Sequence, residues 1–492
     1  MSTVAPSLKV PRWALDKASG PLAGARSSAV AAPLPLAYVV GWFGIHALLG
    51  LAWKEIPQLA LVHGVLTTVV TLLVGVRGGP TAVAAAALYV GASQILWRMS
   101  KAALPHMIGM YLVVLLCVFA ALRRRTHPRP LALLYFLPLL PSVFLTFATV
   151  SDLERARQLV AFNLAGPAAL FAAVWFASTV QRPIALWRVA AVAGGPVAAT
   201  SAAILAGTMR LEEIRFTTES NFAMSGGYGP NQVASVLSFG LLLLAAYVWL
   251  RGRRRVKPLV WGVIVALAVQ TLLTFSRAGI AMVLGALGGM GILLLKRKEM
   301  RIAVLASAVA AWATSNYFLV PVLDDFTQGA FLQRFTDPNL SNRDAIAKSD
   351  LEIFRANPVA GVGPGIAAEI RGIVSRSAIA AHTEFTRILA EHGLLGAISL
   401  LALIALSVRS VRAADNTPRR AWVLGMFTWA WLYFAVNAFR TVLPATAIML
   451  ALLVLAGQQG RPPLETETLN RRSSGKRLQP RNASRATVPL MT

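Results

Sequence analysis

Apolar runs of about 18 to 22 residues, separated by polar stretches, recur from residue 33 to residue 457. A helix rises 1.5 Å per residue, so each run is long enough to cross a hydrocarbon core of roughly 30 Å. The pattern predicts helices over 33–52, 57–76, 80–98, 103–122, 130–149, 159–179, 185–206, 230–250, 258–275, 278–295, 302–321, 387–407, 421–439 and 441–457. The expected fold class is all-α, a polytopic integral membrane protein of about 12–14 transmembrane helices, because only helices and closed barrels satisfy the backbone in lipid. The fifth run is interrupted by "LPLLP", and the fourteenth is short.

Most connections are brief, but two are not. One covers residues 207–229, "GTMRLEEIRFTTESNFAMSGGYG", and the other residues 322–386. In the second, Ser341 and Asn342 stand as capping residues, Ile346, Ile353 and Phe354 share a helical face, and Pro358 ends the helix. "GVGPG" (361–365) follows a helix rather than a strand, which makes it a turn and not a phosphate cradle. After it, "IAAEIRGIVSRSAIAAH" predicts a second short helix, so the long connection reads as a helical lid.

Composition agrees with the pattern. The 492 residues are 56% hydrophobic and 14% charged, with a mean hydropathy of +0.62, against roughly 25% charged in a soluble domain. The net charge of +27 concentrates in "RRRTHPR" (123–129), "RGRRRVK" (251–257), "KRKEMR" (296–301), "VRSVRAADNTPRR" (408–420) and the two tails. With a cytoplasmic N-terminus all of these fall on the cytoplasmic side, as the positive-inside rule requires, so both termini are expected there. The charge is thus topology, which excludes nucleic acid as partner and makes anionic membrane lipids the neighbours of the tails. The expected organisation is a basic tail over 1–30, a transmembrane domain over 31–457 and a disordered basic tail over 458–492.

A single cysteine, Cys117, provides neither a disulfide nor a Cys-based metal site. His46, His63 and His106 are scattered through the early spans without metal-ligand spacing, and no HExxH occurs. No metal and no cofactor is expected.

Candidate chemistry gathers beside the two long connections. In "AHTEFTRILAEHGLLG" (381–396) a helix starting near Thr383 puts Glu384, Arg387 and Glu391 on one stripe, as an ion-pair ladder or as substrate ligands. His382 stands at the junction of loop and helix, where an imidazole exchanges protons near neutral pH or is simply solvated. His392 reads as a packed residue. Arg277, in "LLTFSRAGIAMVL", faces a cavity or snorkels to headgroups, and Arg440, in "VNAFRTVLP", occupies a similar position. Tyr228 and Asn231, in "SGGYGPNQ", suit a glycan through an aromatic face and an amide, or merely form a turn and a cap. Arg215 and Arg343 are candidates by location alone.

"TFSRAGI", "NRDAI...LEIFRANPVAGVGPG" and "HTEFTRILAEHGLLG", in that order over roughly residues 220–440, resemble the O-antigen ligase and O-antigen polymerase superfamily of bacterial envelopes. The resemblance implies a GT-C-like glycosyltransferase of the bacterial inner (cytoplasmic) membrane with a periplasmic active site. Such an enzyme moves a glycan from an undecaprenyl-diphosphate carrier to a glycan or lipid acceptor. Carried over by motif, the family's arginine of the "SR" hairpin falls on Arg277 and its histidine on His382. Arginine forks suit the negative charge that develops on the departing diphosphate, and the histidine suits the acceptor proton.

Ligase and polymerase are equally compatible with these residues. A transporter of a small anion such as bicarbonate is the rival of another class. It calls for ionisable residues or broken helices near the bilayer midplane, where these spans carry almost no charge.

Overall fold

The computed structural model describes residues 36–181, 184, 186–208, 214, 216, 217, 219–251, 258–336, 343–375 and 381–456. Arg215, Ser341, Asn342 and both tails lie outside the described residues. The chain is helical throughout what is described. In order the helices are α1 (Leu36–Glu55), α2 (Pro57–Arg77), α3 (Pro80–Met99), α4 (Ile108–Leu122), α5 (Pro130–Phe136), α6 (Val143–Thr149) and α7 (Leu153–Thr179). Then come α8 (Leu186–Gly207), α9 (Pro230–Arg251), α10 (Pro258–Leu273), α11 (Arg277–Leu294), α12 (Lys298–Thr314), α13 (Val320–Phe326) and α14 (Ala330–Thr336). The last are α15 (Arg343–Ala356), α16 (Ile366–Ser375), α17 (Glu384–Ala413), α18 (Thr417–Val436) and α19 (Leu443–Val454).

Proline opens several of them, at Pro57, Pro80, Pro130, Pro230 and Pro258. A first-turn N–H has no partner to lose there, and the fixed φ suits the helix. Among the described residues, 8 segments are long and apolar enough to cross a membrane, including Pro130–Thr149 across the α5–α6 break and Lys298–Phe326 across a π-helical turn at Ser315–Leu319. Shorter apolar stretches lie in α1, α4, α9, α10 and α19. Each run expected from the hydrophobic pattern coincides with one of these segments or with α18. The protein is a multi-pass membrane protein. One boundary moves: the eleventh segment continues to Phe326, so the long connection begins after 326 rather than at 322, and it contains α14, which the pattern did not predict.

The core is built by α11 on α18, α3 on α8, α4 on α7, and α19 against α18 and α7. The rim faces an apolar solvent instead. α2 buries only Ala60, Gly64, Thr67, Thr71 and Gly75, a stripe of small residues that lets α4 approach, while Val62, Leu66, Val69 and Leu73 point outward. His46 and His63, distant in sequence, meet on Tyr89. Trp97 donates to His63 Nδ1 (2.9 Å), His63 Nε2 donates to Tyr89 (2.7 Å), Tyr89 donates to His46 Nε2 (2.9 Å), and His46 Nδ1 donates to the Trp42 carbonyl (2.8 Å). These bonds tie α1 and α2 to α3.

Two helices are broken where they face each other. Between α5 and α6 the chain passes through a 3-10 turn at Leu137–Leu139 and a loop ending at Ser142. Opposite, α17 breaks at Gly393, whose φ of 61° and ψ of −142° are open only to glycine. His392 Nδ1 donates to Ser142 Oγ at 2.5 Å, and Ser142 donates to the Leu139 carbonyl at 3.0 Å. The turn after α15 fills the break in α17: Leu394 N–H donates to the Pro358 carbonyl (2.7 Å), and Val362 and Gly363 donate to the Ala390 and Glu391 carbonyls (3.1 and 2.9 Å). The break thereby satisfies its own freed backbone groups.

Candidate functional site

Among the described residues the candidate chemistry lies at one end of the helices, where α3 meets α4, α9 and α11 begin, α17 begins and α18 meets α19. At its centre is the first piece of α17, residues 384–392. Thr383 caps it, accepting from Thr386 N–H at 3.3 Å. Arg387 grips Glu384 with two bonds, Nε to Oε2 at 2.9 Å and Nη2 to Oε1 at 2.5 Å, and reaches Glu391 Oε2 through Nη1 at 2.5 Å. All three side chains are 3% exposed or less. Glu384 and Arg387 therefore form the ion-pair ladder rather than a face open to a ligand. Glu384 Oε2 also accepts the backbone N–H of Phe439 at 2.9 Å, which anchors the α18–α19 turn and positions Arg440.

Arg277 is presented by a strained turn. Phe275 has φ 52°, a left-handed conformation that costs a non-glycine residue on the order of 1–2 kcal/mol. It is held by burial: Phe275 is fully enclosed and packs on Phe331 (centroids 5.9 Å) and edge-on to Phe216 (5.8 Å). Ser276 then caps α11, and Arg277, its first residue, donates Nε to the Arg334 carbonyl at 3.0 Å. Arg334 donates Nε back to the Phe275 carbonyl at 3.3 Å. Asn231 joins this group from α9 by accepting from Ser276 Oγ at 2.8 Å. It lies in the first turn of α9, after Pro230, so it is not the helix cap.

The early helices contribute a part that sequence reasoning missed. Arg98, at the end of α3, donates Nη1 to Gln232 Oε1 and to the Arg440 carbonyl, both at 2.9 Å. Its Nε and Nη2 donate to the His106 carbonyl at 3.3 and 2.7 Å. All of these acceptors are neutral oxygens. The His106 ring stacks on Phe162 at 6.0 Å, and the Arg440 guanidinium lies 4.9 Å from the same ring's centroid. Arg98, His106, Phe162 and Arg440 thus close a circuit across α3, the α3–α4 turn, α7 and the α18–α19 turn. Tyr228 lies within hydrogen-bonding reach of Arg98. The signal available beforehand was an arginine at a span end, which reads equally as snorkelling.

His382 is half-buried one residue before the Thr383 cap. Burial lowers its pKa, and Arg343, Arg440 and Arg371 lower it further, in that order. Arg343 is itself lowered by burial and then by Arg277. Burial and then Arg98 and Arg440 push His106 down to about 4. Arg371 is offset by an ion pair with the enclosed Asp350 on α15, which also accepts from Thr386 at 2.8 Å. The fold therefore brings His382, Arg277, Arg343 and Arg440 into one positively charged neighbourhood, with Tyr228 and Asn231 reaching it through Arg98 and Ser276. Glu384 and Arg387 lie beneath it. Arg215 falls outside the described residues. Among the described residues no group of three or more His, Cys, Asp or Glu is placed to hold a metal ion.

Fold and site together define a polytopic helical membrane protein with a cluster of arginines around a histidine at one end of its helices. Residues 264–401 match the family model described as O-antigen ligase, which supports placing the chain in the O-antigen ligase/polymerase superfamily. The match runs from α10 into α17, less than a third of the chain, and includes Arg277, Arg343 and His382. Arg98, Tyr228, Asn231 and Arg440 lie outside it. No curated protein matches the chain.

Proposed function

We propose that this protein is a glycosyltransferase of envelope polysaccharide synthesis, ligase-like, which moves a glycan from a polyprenyl-diphosphate carrier such as undecaprenyl diphosphate to an acceptor hydroxyl at the periplasmic face of the bacterial inner membrane. The observation that carries this reading is the electrostatic neighbourhood of His382, made by Arg343, Arg440 and Arg371, with Arg277 next to Arg343. Asp350 offsets Arg371, and Glu384 and Glu391 act on Arg440, whereas the neighbouring charges named for Arg343 and for His382 are all arginines, so an anion entering between them is favoured. A lipid diphosphate supplies that anion and keeps its chain in the bilayer.

In the reaction the bond between the anomeric carbon and the diphosphate oxygen breaks, and the acceptor oxygen forms the new bond to that carbon. Arg277 and Arg343 neutralise the charge gathering on the departing diphosphate. The acceptor proton passes to His382, whose lowered pKa keeps the imidazole neutral and able to receive it. α15 and α16, packed on α17, roof the site. The basic ends of the helices face the cytoplasm in this reading, by the positive-inside rule.

The test is the length distribution of carrier-linked glycans in cells lacking the protein, restored with the native chain or with His382→Ala. Long chains stranded on the carrier and rescued only by the native chain identify a ligase, and single repeat units identify a polymerase. A small-anion transporter has one observation in its favour, the facing helix breaks at 137–142 and Gly393. An unchanged glycan profile would turn the assignment to it.

A further inference from the structure

At the end of the helices opposite His382, α5 packs on α17 and α7 packs on α19. Where these two pairs meet lies a cavity of about 400 Å³, within the roughly 300–1,000 Å³ of sites that take small molecules. α17 and α19 both begin beside the arginines of the candidate site and both end at this cavity, so it stands a helix length away from the proposed reaction.

Its walls carry two kinds of chemistry. Most of the surface is hydrocarbon, with Leu131 from α5, Val174 from α7, Leu406 from α17 and Leu452 from α19. Two hydroxyls reach it, Ser178 and Ser410, and each has already given its hydrogen to a carbonyl of its own helix, Trp175 and Leu406, at 2.7 Å. The rest is cationic. Arg129 and Arg409 line the cavity, and no Asp or Glu does. Arg409 is exposed and, among the described residues, makes no hydrogen bond or ion pair. Arg123 and Arg420, at the same end, are instead bonded to backbone carbonyls at Val76, Gly78 and Ala414.

The outer side of α17 continues the pattern. Leu401, Ile404 and Val408 are exposed and stand three and four residues apart, which makes one apolar stripe. At 3.6 residues per turn, Arg409 falls between that stripe and the cavity face formed by Leu406, Ser410 and Ala413. A hydrocarbon track therefore leads along a membrane-spanning helix to an unbonded arginine near its end.

We infer that this cavity is a binding site for one anionic phospholipid, with the headgroup phosphate on Arg409, Arg129 beside it, and an acyl chain along Leu401, Ile404 and Val408. A guanidinium fork matches phosphate oxygens, and a basic pocket between spanning helices is a setting that selects such headgroups. A soluble phosphate compound leaves the hydrocarbon walls wet, and a neutral amphiphile leaves the two positive charges unanswered. Snorkelling alone explains an arginine at a span end, but not a cavity beside it lined by two arginines and no carboxylate. The inference rests on the placement of the helices in a bilayer and on no step of the reaction.

The test is native mass spectrometry of the purified full-length protein, released from detergent micelles after titration with dioleoyl phosphatidylglycerol, dioleoyl phosphatidylcholine or glycerol 1-phosphate. The first phosphatidylglycerol should bind at least tenfold more tightly than phosphatidylcholine, which has the same chains and phosphate but an added cation, and at least tenfold more tightly than glycerol 1-phosphate, which has no chains. Arg409→Gln should weaken phosphatidylglycerol roughly tenfold, the scale of one lost charge-assisted contact. Its unfolding midpoint without lipid should stay level, because Arg409 makes no bond to the described residues. Arg77→Gln removes an exposed arginine at the end of α2, on the same face and outside the cavity lining, and should change nothing. Equal affinity for the two lipids, glycerol 1-phosphate binding as tightly as phosphatidylglycerol, or indifference to Arg409→Gln would each overturn the proposal. An equal loss in Arg77→Gln would overturn it too, by reducing the effect to diffuse surface charge.

Discussion

Glu384 accepts the backbone N–H of Phe439, 55 residues further along the chain, at 2.9 Å, and that bond sets where Arg440 stands. One carboxylate thus serves two structures, the ladder beneath the site and the turn that completes it. The ladder is support, because its members are buried, whereas His382 beside it is half-buried and adjoins the arginines.

Replacing Glu384 by Ala leaves Arg387 with Glu391 as its one carboxylate partner beside a longer bond to Asn163, and takes the acceptor from Phe439 N–H. Breaking a buried ion pair from one side costs about 3–5 kcal/mol. We expect a lower thermal unfolding midpoint in detergent together with loss of transfer. His382→Ala should lose transfer with its midpoint nearly unchanged, and equal midpoint losses in the two variants would contradict the division between support and chemistry.

The pH dependence follows from the direction of the His382 shift. Its pKa lies below the ordinary value near 6.5, because burial and three arginines disfavour the imidazolium. The neutral form, the one able to accept a proton, is therefore dominant at neutral pH and is lost as pH falls through the lowered pKa. Stability moves the same way, since the protonated ring is disfavoured in the folded state. Transfer should hold above about pH 6.5 and fall on the acid side, with the mid-point below 6.5. His382→Gln should lower the rate roughly 10²- to 10⁴-fold and flatten that limb. A limb that persists in His382→Gln would assign it to another group.

Arg343 offers a separation of stability from function. It sits near Arg277, and burial disfavours its charge. Arg343→Gln relieves that repulsion, so the unfolding midpoint of the protein without substrate should stay level or rise, while affinity for a polyprenyl-diphosphate donor falls at least tenfold. Arg343→Lys should restore the charge but only part of the affinity, because an ammonium lacks the guanidinium fork. A parallel fall in midpoint and affinity would mark Arg343 as a structural residue.

At Gly393 an added Cβ would sit 2.5 Å from the Pro358 carbonyl oxygen, in a backbone conformation restricted to glycine. Gly393→Ala should cost on the order of 1–3 kcal/mol and loosen the strap at 358–363 that docks there. Limited proteolysis should then cut the α15–α16 connection faster than in the native protein, and an unchanged digestion pattern would show that the strap is held by other contacts.

The legible part of the site was local. The spacing of Glu384, Arg387 and Glu391 on one helical stripe foretold their bonds, and "TFSRAGI" and "HTEF" marked Arg277 and His382 through family resemblance. The illegible part was long-range. Arg98 meets Arg440 across 342 positions, and Asn231 meets Ser276 across 45, so no window of sequence contains both partners. Asp350 was hidden differently: an acidic residue in an amphipathic loop helix normally faces water, but this one turns inward to Arg371.

What the chain determines by itself is its partition between lipid and water, since that depends on the summed transfer free energy of each twenty-residue run and needs no neighbour. Helix starts are of the same kind, being written in prolines and in caps such as Thr383. The tertiary structure decides which charges become support and which remain available, because burial and pairing depend on helices that meet only after folding. The same process brings His46 and His63 onto one tyrosine, breaks α17 at Gly393, and gathers Arg98, Arg440 and His106 around Phe162.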